Sequence, residues 1–137
     1  EPDSPEDAVR AALAAIEQAA GERDVDGVRA RISEAYKDSR GNDKAEVVQV
    51  AAFHLLRNQA VYTFTVIQSV ELDASDAAAA QVQALVALAG SPIANAEALA
   101  TLNADLYRFD VALREEEPGV FRVVSANWQP ATLADFR

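Results

Sequence analysis

The sequence predicts an α+β fold, with helices first and a sheet of long antiparallel strands after them. Two observations carry this reading. Between Pro5 and Leu55, apolar residues recur at three- and four-residue intervals, in runs opened by capping residues. From Val61 onward the interval drops to two, in stretches rich in β-branched and aromatic residues. At 137 residues the chain has the length of one domain, expected over residues 1–137 with an ordered core from about 5 to 131.

The first helix opens at Ser4-Pro5-Glu6-Asp7. Ser4 can accept from free backbone amides, Pro5 suits the first turn, and the acids favour the positive end of the helix dipole. Val9, Leu13 and Ile16 follow, with Ala12 and Ala20 on a similar face, and Gly21 ends the helix. Asp24 caps a second, shorter helix that sets Val28 and Ile32 one turn apart. Ser33 to Asn42 is expected as a loop or a short edge strand. Asp43, with Glu46 three positions on, makes a capping-box start for a third helix running to about Asn58. Val47, Val50, Ala51 and His54 share one face of it, and Val48, Ala52 and Leu55 another, so this helix is expected to be well covered.

The first strand sets Tyr62, Phe64, Val66, Val70 and Leu72 against Val61, Thr63, Thr65, Ser69 and Glu71. Ser75 to Gly90 is ambiguous. Its alanines favour helix, while Val82, Ala84, Val86 and Leu88 alternate as a strand would; the neighbouring strand decides for a hairpin. Ser91 to Asp105 interrupts the sheet, with a short helix between Asn95 and Leu102. Two further strands follow, turning at Glu117-Pro118-Gly119, and the tail from Thr132 is expected to be loosely held.

Composition narrows the function. Net charge is −10 without any basic block, so a nucleic-acid backbone is not an expected partner. No cysteine and one histidine exclude thiolate and multi-histidine metal sites, leaving only an oxygen-ligand site open; no metal or cofactor is expected. No apolar run reaches membrane-spanning length. The chain contains no methionine and opens on the acidic "EPDSPED". That fits an exported, periplasmic protein downstream of a removed signal or lipid anchor, with a cytoplasmic, trimmed chain as the alternative.

Several segments are similar to the nuclear transport factor 2-like superfamily, the cystatin-like α+β cone. They are "AALAAIEQAAGERDVDGVRARI", "YKDSRGNDKAEVV", "LYRFDVAL" and the closing "VFRVVSANWQP", which together resemble an uncharacterised bacterial branch. The resemblance spans about residues 5 to 131. It implies a strongly curved sheet wrapped around the helices as a cone with a central pocket, and homodimers through the sheet's outer face. The matching motifs mark the fold and carry no catalytic signature, and fold alone does not assign function.

Within that frame the candidate pocket residues are Tyr36, His54, Tyr62, Asp105, Tyr107, Phe109, Phe121, Ser125 and Asn127. Tyr107 and Phe109 lie on the face with Val111 and Leu113, the expected inner wall, with Arg108, Asp110 and Arg114 pointing away. If the last strand is regular, Phe121, Val123, Ser125 and Asn127 share one face, and Val120, Val124, Ala126 and Trp128 the other. Trp128 is then expected in the core or an interface. His54 is either a proton shuttle or a packed residue with a backbone partner, and Tyr36 falls at a pocket rim with Asp38 making a local turn contact. Tyr62 completes the tyrosine set. Ketosteroid-isomerase-like and polyketide-cyclase-like enzymes require a pocket carboxylate. The last strand has none, and Asp105 is the one acid worth testing. The loop from Ser91 to Asn103 is either a lid over the mouth or an ordinary connection.

No catalytic residue is therefore assigned. The expected function is non-enzymatic binding of a small apolar ligand or a protein partner, by a homodimer. The alternatives are an isomerase- or cyclase-like enzyme using a pocket tyrosine and carboxylate, and a structural dimerisation module.

Overall fold

A computed structural model of the chain describes residues 4–57 and 59–136. Three helices, α1 (Pro5–Gly21), α2 (Val25–Ala30) and α3 (Lys44–Leu56), precede four strands. The strands are β1 (Tyr62–Asp73), β2 (Asp76–Ala89), β3 (Asp105–Glu117) and β4 (Val120–Pro130). The helices pack on one face of a strongly curved antiparallel sheet of order β1-β2-β3-β4. The alternation in Asp76–Ala89 therefore outweighs its alanine content: a strand buried between two partners gains ladder hydrogen bonds and packing that intrinsic propensity does not count.

Each helix starts where its cap predicts. The Ser4 hydroxyl accepts from the Asp7 N–H at 3.1 Å, Asp24 accepts from the Gly27 N–H at 3.0 Å, and Asp43 and Glu46 complete a reciprocal capping box. α3 stops at Leu56, two residues before the expected Asn58, which lies outside the described residues, as do the first three of the acidic opening. Arg23, between α1 and α2, takes the left-handed conformation at φ 56°, unusual for a residue with a Cβ. Its side chain donates to the Leu55 carbonyl at 3.0 Å and the Gln59 carbonyl at 3.2 Å. One cation thus satisfies carbonyls at the negative end of α3 and ties that end to α1.

Two bulges decide which side chains face the helices. In β1, Ile67 pairs with Ala84 and Ser69 with Gln83, leaving Gln68 as an extra residue. In β4, Ala112 pairs with Ser125 and Leu113 with Val123, leaving Val124 extra. Each insertion exchanges inside for outside along its strand and bends it. The regular alternation expected for β1 is thereby corrected. Thr63, Thr65 and Ile67 face inward before the bulge and Val70 after it, while Phe64 and Val66 face outward.

The inner core closes the narrow end of the cone, where Val9, Val82, Leu113 and Phe121 are shut off from solvent. A second cluster lies on the outer face: Phe64, Val66, Leu85, Ala87 and Leu106 are covered by Leu99 and Phe136. These come from two short 3-10 helices, Ala96–Ala100 and Leu133–Phe136. The tail is thus not loose. Phe136 is buried, and Asp135 accepts from Arg108 at 2.8 Å. Nor is Ala96–Ala100 a lid over the mouth, because it packs on the opposite face of the sheet.

The free edge of β4 is sealed by the segment after α2. Ser33 N–H donates to the Val123 carbonyl, Val123 N–H to Arg31, and Lys37 N–H to Val124. The expected loop or edge strand, Ser33 to Asn42, is a loop, flanked by a parallel bridge from Ile32 to Val123 and carrying an antiparallel bridge from Lys37 to Asp43.

Candidate functional site

Above the closed end, the helices and the concave face enclose a cavity of about 280 Å³. α1 contributes Leu13, Ile16, Glu17 and Ala20; α3 contributes Val50, Ala51 and His54. Facing them are Thr63, Thr65 and Ile67 of β1 and Ala84, Val86 and Leu88 of β2. β3 supplies Tyr107, Phe109 and Val111, and β4 supplies Ala126 and Trp128.

An aromatic ladder runs along this wall. Phe109 and Trp128 are cross-strand neighbours with nearly parallel rings, 6.0 Å apart at 27°. Tyr107 meets Phe109 edge-on at 6.3 Å, and His54 meets Tyr107 edge-on at 6.4 Å. At the far end the Arg40 guanidinium lies 4.4 Å from the centre of the Trp128 ring and donates to the Trp128 carbonyl.

Of the nine candidate residues, four line this cavity: Tyr36, His54, Tyr107 and Phe109. The other five lie elsewhere. Tyr62 pairs with Ala89 and is exposed. Asp105 lies in a separate polar hollow with His54, Arg57 and Asn103. Phe121 is wholly buried in the core below the cavity. Ser125 and Asn127 fall on the outer face, and the cause is the Val124 bulge. Ala126 and Trp128 take the inward positions that a regular strand would have given their neighbours. Asn127 instead accepts from the hydroxyl and N–H of Ser39, anchoring the loop beside β4.

Sequence reasoning missed Glu17 and Trp128. A signal for Glu17 was present: with Leu13, Ile16 and Ala20 it completes an i, i+3, i+4, i+7 stripe, so a carboxylate occupies a core-facing position of α1. Its Oε2 accepts from the Thr63 hydroxyl at 3.1 Å. For Trp128 there was none, because nothing in Val120–Pro130 marks Val124 as a bulge.

Tyr36 and Asp38 form a tyrosine–carboxylate pair at the cavity wall. The Tyr36 hydroxyl donates to Asp38 Oδ2 at 2.7 Å and lies 3.2 Å from the Ala126 carbonyl oxygen. Burial, reinforced by the Asp38 hydrogen bond and charge, pushes the Tyr36 hydroxyl well above the ordinary tyrosine range. Burial also raises the Asp38 carboxyl. Hydrogen bonds from Tyr36, from the Asn42 backbone and side chain, and from the Arg40 N–H outweigh it and hold Asp38 below its ordinary value. A carboxylate held as the anion by four donors is a poor base near neutral pH, and a tyrosine with a raised pKa is a poor acid. The pair therefore fixes the loop after α2 against β4. No group of three or more metal-ligating side chains occurs among the described residues.

No protein-family profile matches this chain, and no curated protein matches it in sequence. Solved structures do match in shape. A ketosteroid isomerase-like protein from Erwinia carotovora atroseptica superposes with a TM-score of 0.63 at 16% identity, covering 90% of this chain and 93% of that one. A nuclear transport factor 2-like protein of unknown function from Shewanella oneidensis gives 0.63 at 13%, over 90% and 98%. The chain has the nuclear transport factor 2-like fold. A cystatin-like-fold protein of unknown function from Nostoc punctiforme, at 0.61 and 12% over 90% and 88%, is a further example of the same architecture. In this chain the hollow between the helices and the concave face of the sheet is the aromatic-walled site just described.

Proposed function

We propose that this chain is a binding protein that holds a small apolar ligand in the cavity between α1, α3 and the concave sheet, without chemistry on it. The observation that carries the reading is the cavity's wall. About 280 Å³ is left unfilled behind an aromatic ladder and aliphatic side chains, above a core in which Val9, Val82, Leu113 and Phe121 are fully buried. Its one lining carboxylate, Glu17, accepts from Thr63, and the hydroxyl of the lining Tyr36 is engaged by Asp38. Such a site, apolar with a few orienting polar groups, suits non-covalent capture. A structural module would instead fill its cavity and offer a broad apolar outer face. Here the apolar part of that face is covered by the chain itself. A homodimer through the outer face would use the remainder, around Gln81, Gln83, Asp110 and Asn127, and a solution mass of twice 14.6 kDa tests it.

Trp128, the chain's one tryptophan, lines the cavity and reports its occupancy directly. Titration with 1-octanol is expected to change its fluorescence saturably, and Val86→Phe, which fills the cavity, to abolish the change. A response that stays linear to the solubility limit, or is the same in V86F, would remove the reading.

A second reading rests on Glu17, the one carboxylate among the cavity-lining residues. Its Oε1 has no hydrogen-bond partner among the described residues. An isomerase- or cyclase-like proton transfer would use Glu17 as base with Tyr107 as donor. Deuterium exchange into a bound enolisable ketone, followed by NMR, reads this: exchange that disappears in Glu17→Gln supports it, and no exchange in the wild type leaves binding alone.

A further inference from the structure

We infer that the ligand is an amphiphile whose carboxylate head sits outside the cavity, in the polar hollow at its mouth. This rests on the apolar-cavity reading and adds the head-group subsite. The hollow's polar lining is His54, Arg57, Asn103 and Asp105, and it borders the apolar cavity at His54 and Leu88, which are wall residues of both. Apolar and polar walls are therefore segregated. Apart from Glu17, which accepts from Thr63, the cavity's charged neighbours, Arg57 and Asp105, gather beyond its end.

The balance of hydrogen-bonding groups selects the head. Arg57 carries more N–H donors than its bond to Asp105 uses among the described residues, and His54 and Asn103 add further donors. Against these stands one carboxylate, Asp105, whose Oδ2 is 3.3 Å from the Arg57 guanidinium. At that distance, with both side chains about half exposed, the pair is weak and can be exchanged for a better one. A ligand carboxylate, acceptor-only and matched to a guanidinium fork, fits this surplus, whereas an ammonium would face Arg57. Arg57 is positioned for the task. It follows the last turn of α3 and its guanidinium lies 5.5 Å from the centre of the Phe53 ring, and Arg23 holds the same helix end. The net charge of −10 opposes an anion at long range, but that field is largely screened beyond a Debye length of about 8 Å at physiological salt. The local donors decide.

The test compares octanoate, 1-octanol and octylamine at physiological ionic strength and neutral pH, read by Trp128 fluorescence. Octanoate is expected to bind about tenfold more tightly than octanol, the scale of one charge-assisted pair, and octylamine most weakly. Arg57→Ala should bring octanoate to within about threefold of octanol and leave octanol unchanged. Asp105→Asn, which removes the competing carboxylate, should tighten octanoate several-fold; this second variant guards against a folding defect in the first. If octanol binds as well as octanoate and neither variant matters, the head-group subsite is wrong while the cavity reading stands. If none of the three perturbs Trp128, both fall.

Discussion

Tyr36→Phe separates a structural pair from a catalytic one, and its cost follows from the geometry. The substitution keeps the ring, which is buried, and deletes only the hydroxyl that donates to Asp38 at 2.7 Å and approaches the Ala126 carbonyl at 3.2 Å. One proton serves both acceptors, so their contributions do not add. A hydrogen bond to a charged acceptor contributes about 1.5–3 kcal/mol. Asp38 keeps its bonds from Asn42 and Arg40, which places the expected loss at about 2 kcal/mol, or about 6–8 °C in Tm for a domain of this size. Urea unfolding followed by Trp128 fluorescence measures it. The pH dependence gives an independent check. Asp38 is held below its ordinary value in the folded state, so its contribution is present above the unfolded carboxyl pKa of about 4 and is lost as pH falls through the lower folded value. Tyr36 is raised, so its contribution is complete below about pH 10 and is lost as pH rises beyond it. The stability difference between wild type and Y36F should therefore be flat from about pH 5 to 9 and shrink at both extremes. A difference below about 0.5 kcal/mol at neutral pH, or one that grows in acid, would refute this account of the loop.

Three further substitutions test how the site is held. At Arg23, left-handed strain is set against two side-chain bonds to α3. Arg23→Ala loses the bonds and keeps the strain, so it should unfold at lower urea than Arg23→Gly by about 1 kcal/mol; equal stabilities would contradict the strain. Gly27→Ala adds a helix-favouring methyl, but its Cβ would lie 2.7 Å from Asp24 Oδ2 and 2.9 Å from the Ala19 Cβ. It should displace the α2 cap and cost about 1–2 kcal/mol in chemical denaturation, where propensity alone predicts a gain. Phe136→Ala should cost about 2–4 kcal/mol by uncovering Phe64 and Leu85 on the outer face, and a thermal scan indistinguishable from wild type would mean that the tail is loose after all.

What could be read from the sequence divides along a physical line. Helix starts were legible because a cap is local: Ser4, Asp24 and Asp43 each bond an N–H three residues on. The inner face of β3 was legible because its pairing with β2 is regular from Leu106 to Arg114, so a period of two carries Tyr107 and Phe109 to the same wall. Bulges break that logic. Val124 sits in an unremarkable run, "RVVSAN", and the reason for its insertion lies elsewhere in the chain, where the Arg31–Lys37 segment bonds to Val123 and Val124. A one-residue insertion then moves Ser125 and Asn127 off the wall and brings Trp128 onto it. The consequence is chemical. With Ser125 and Asn127 facing in, the cavity would have had two hydrogen-bonding steps opposite the tyrosines, the beginnings of an oriented reaction site. With Trp128 in their place the wall continues the His54–Tyr107–Phe109 ladder, and polarity collects at Arg57, Asn103 and Asp105 instead. One unpaired residue in β4 thus decides whether that strand presents Ser125 and Asn127 or Ala126 and Trp128 to the cavity. Deleting Val124 should return Ser125 and Asn127 to the inside at the cost of β4's seal against Arg31–Lys37. If the bulge sets the selectivity, such a variant, where folded, should lose Trp128 fluorescence as a reporter of octanol. Unchanged octanol titration by Trp128 would show that the wall does not depend on the bulge.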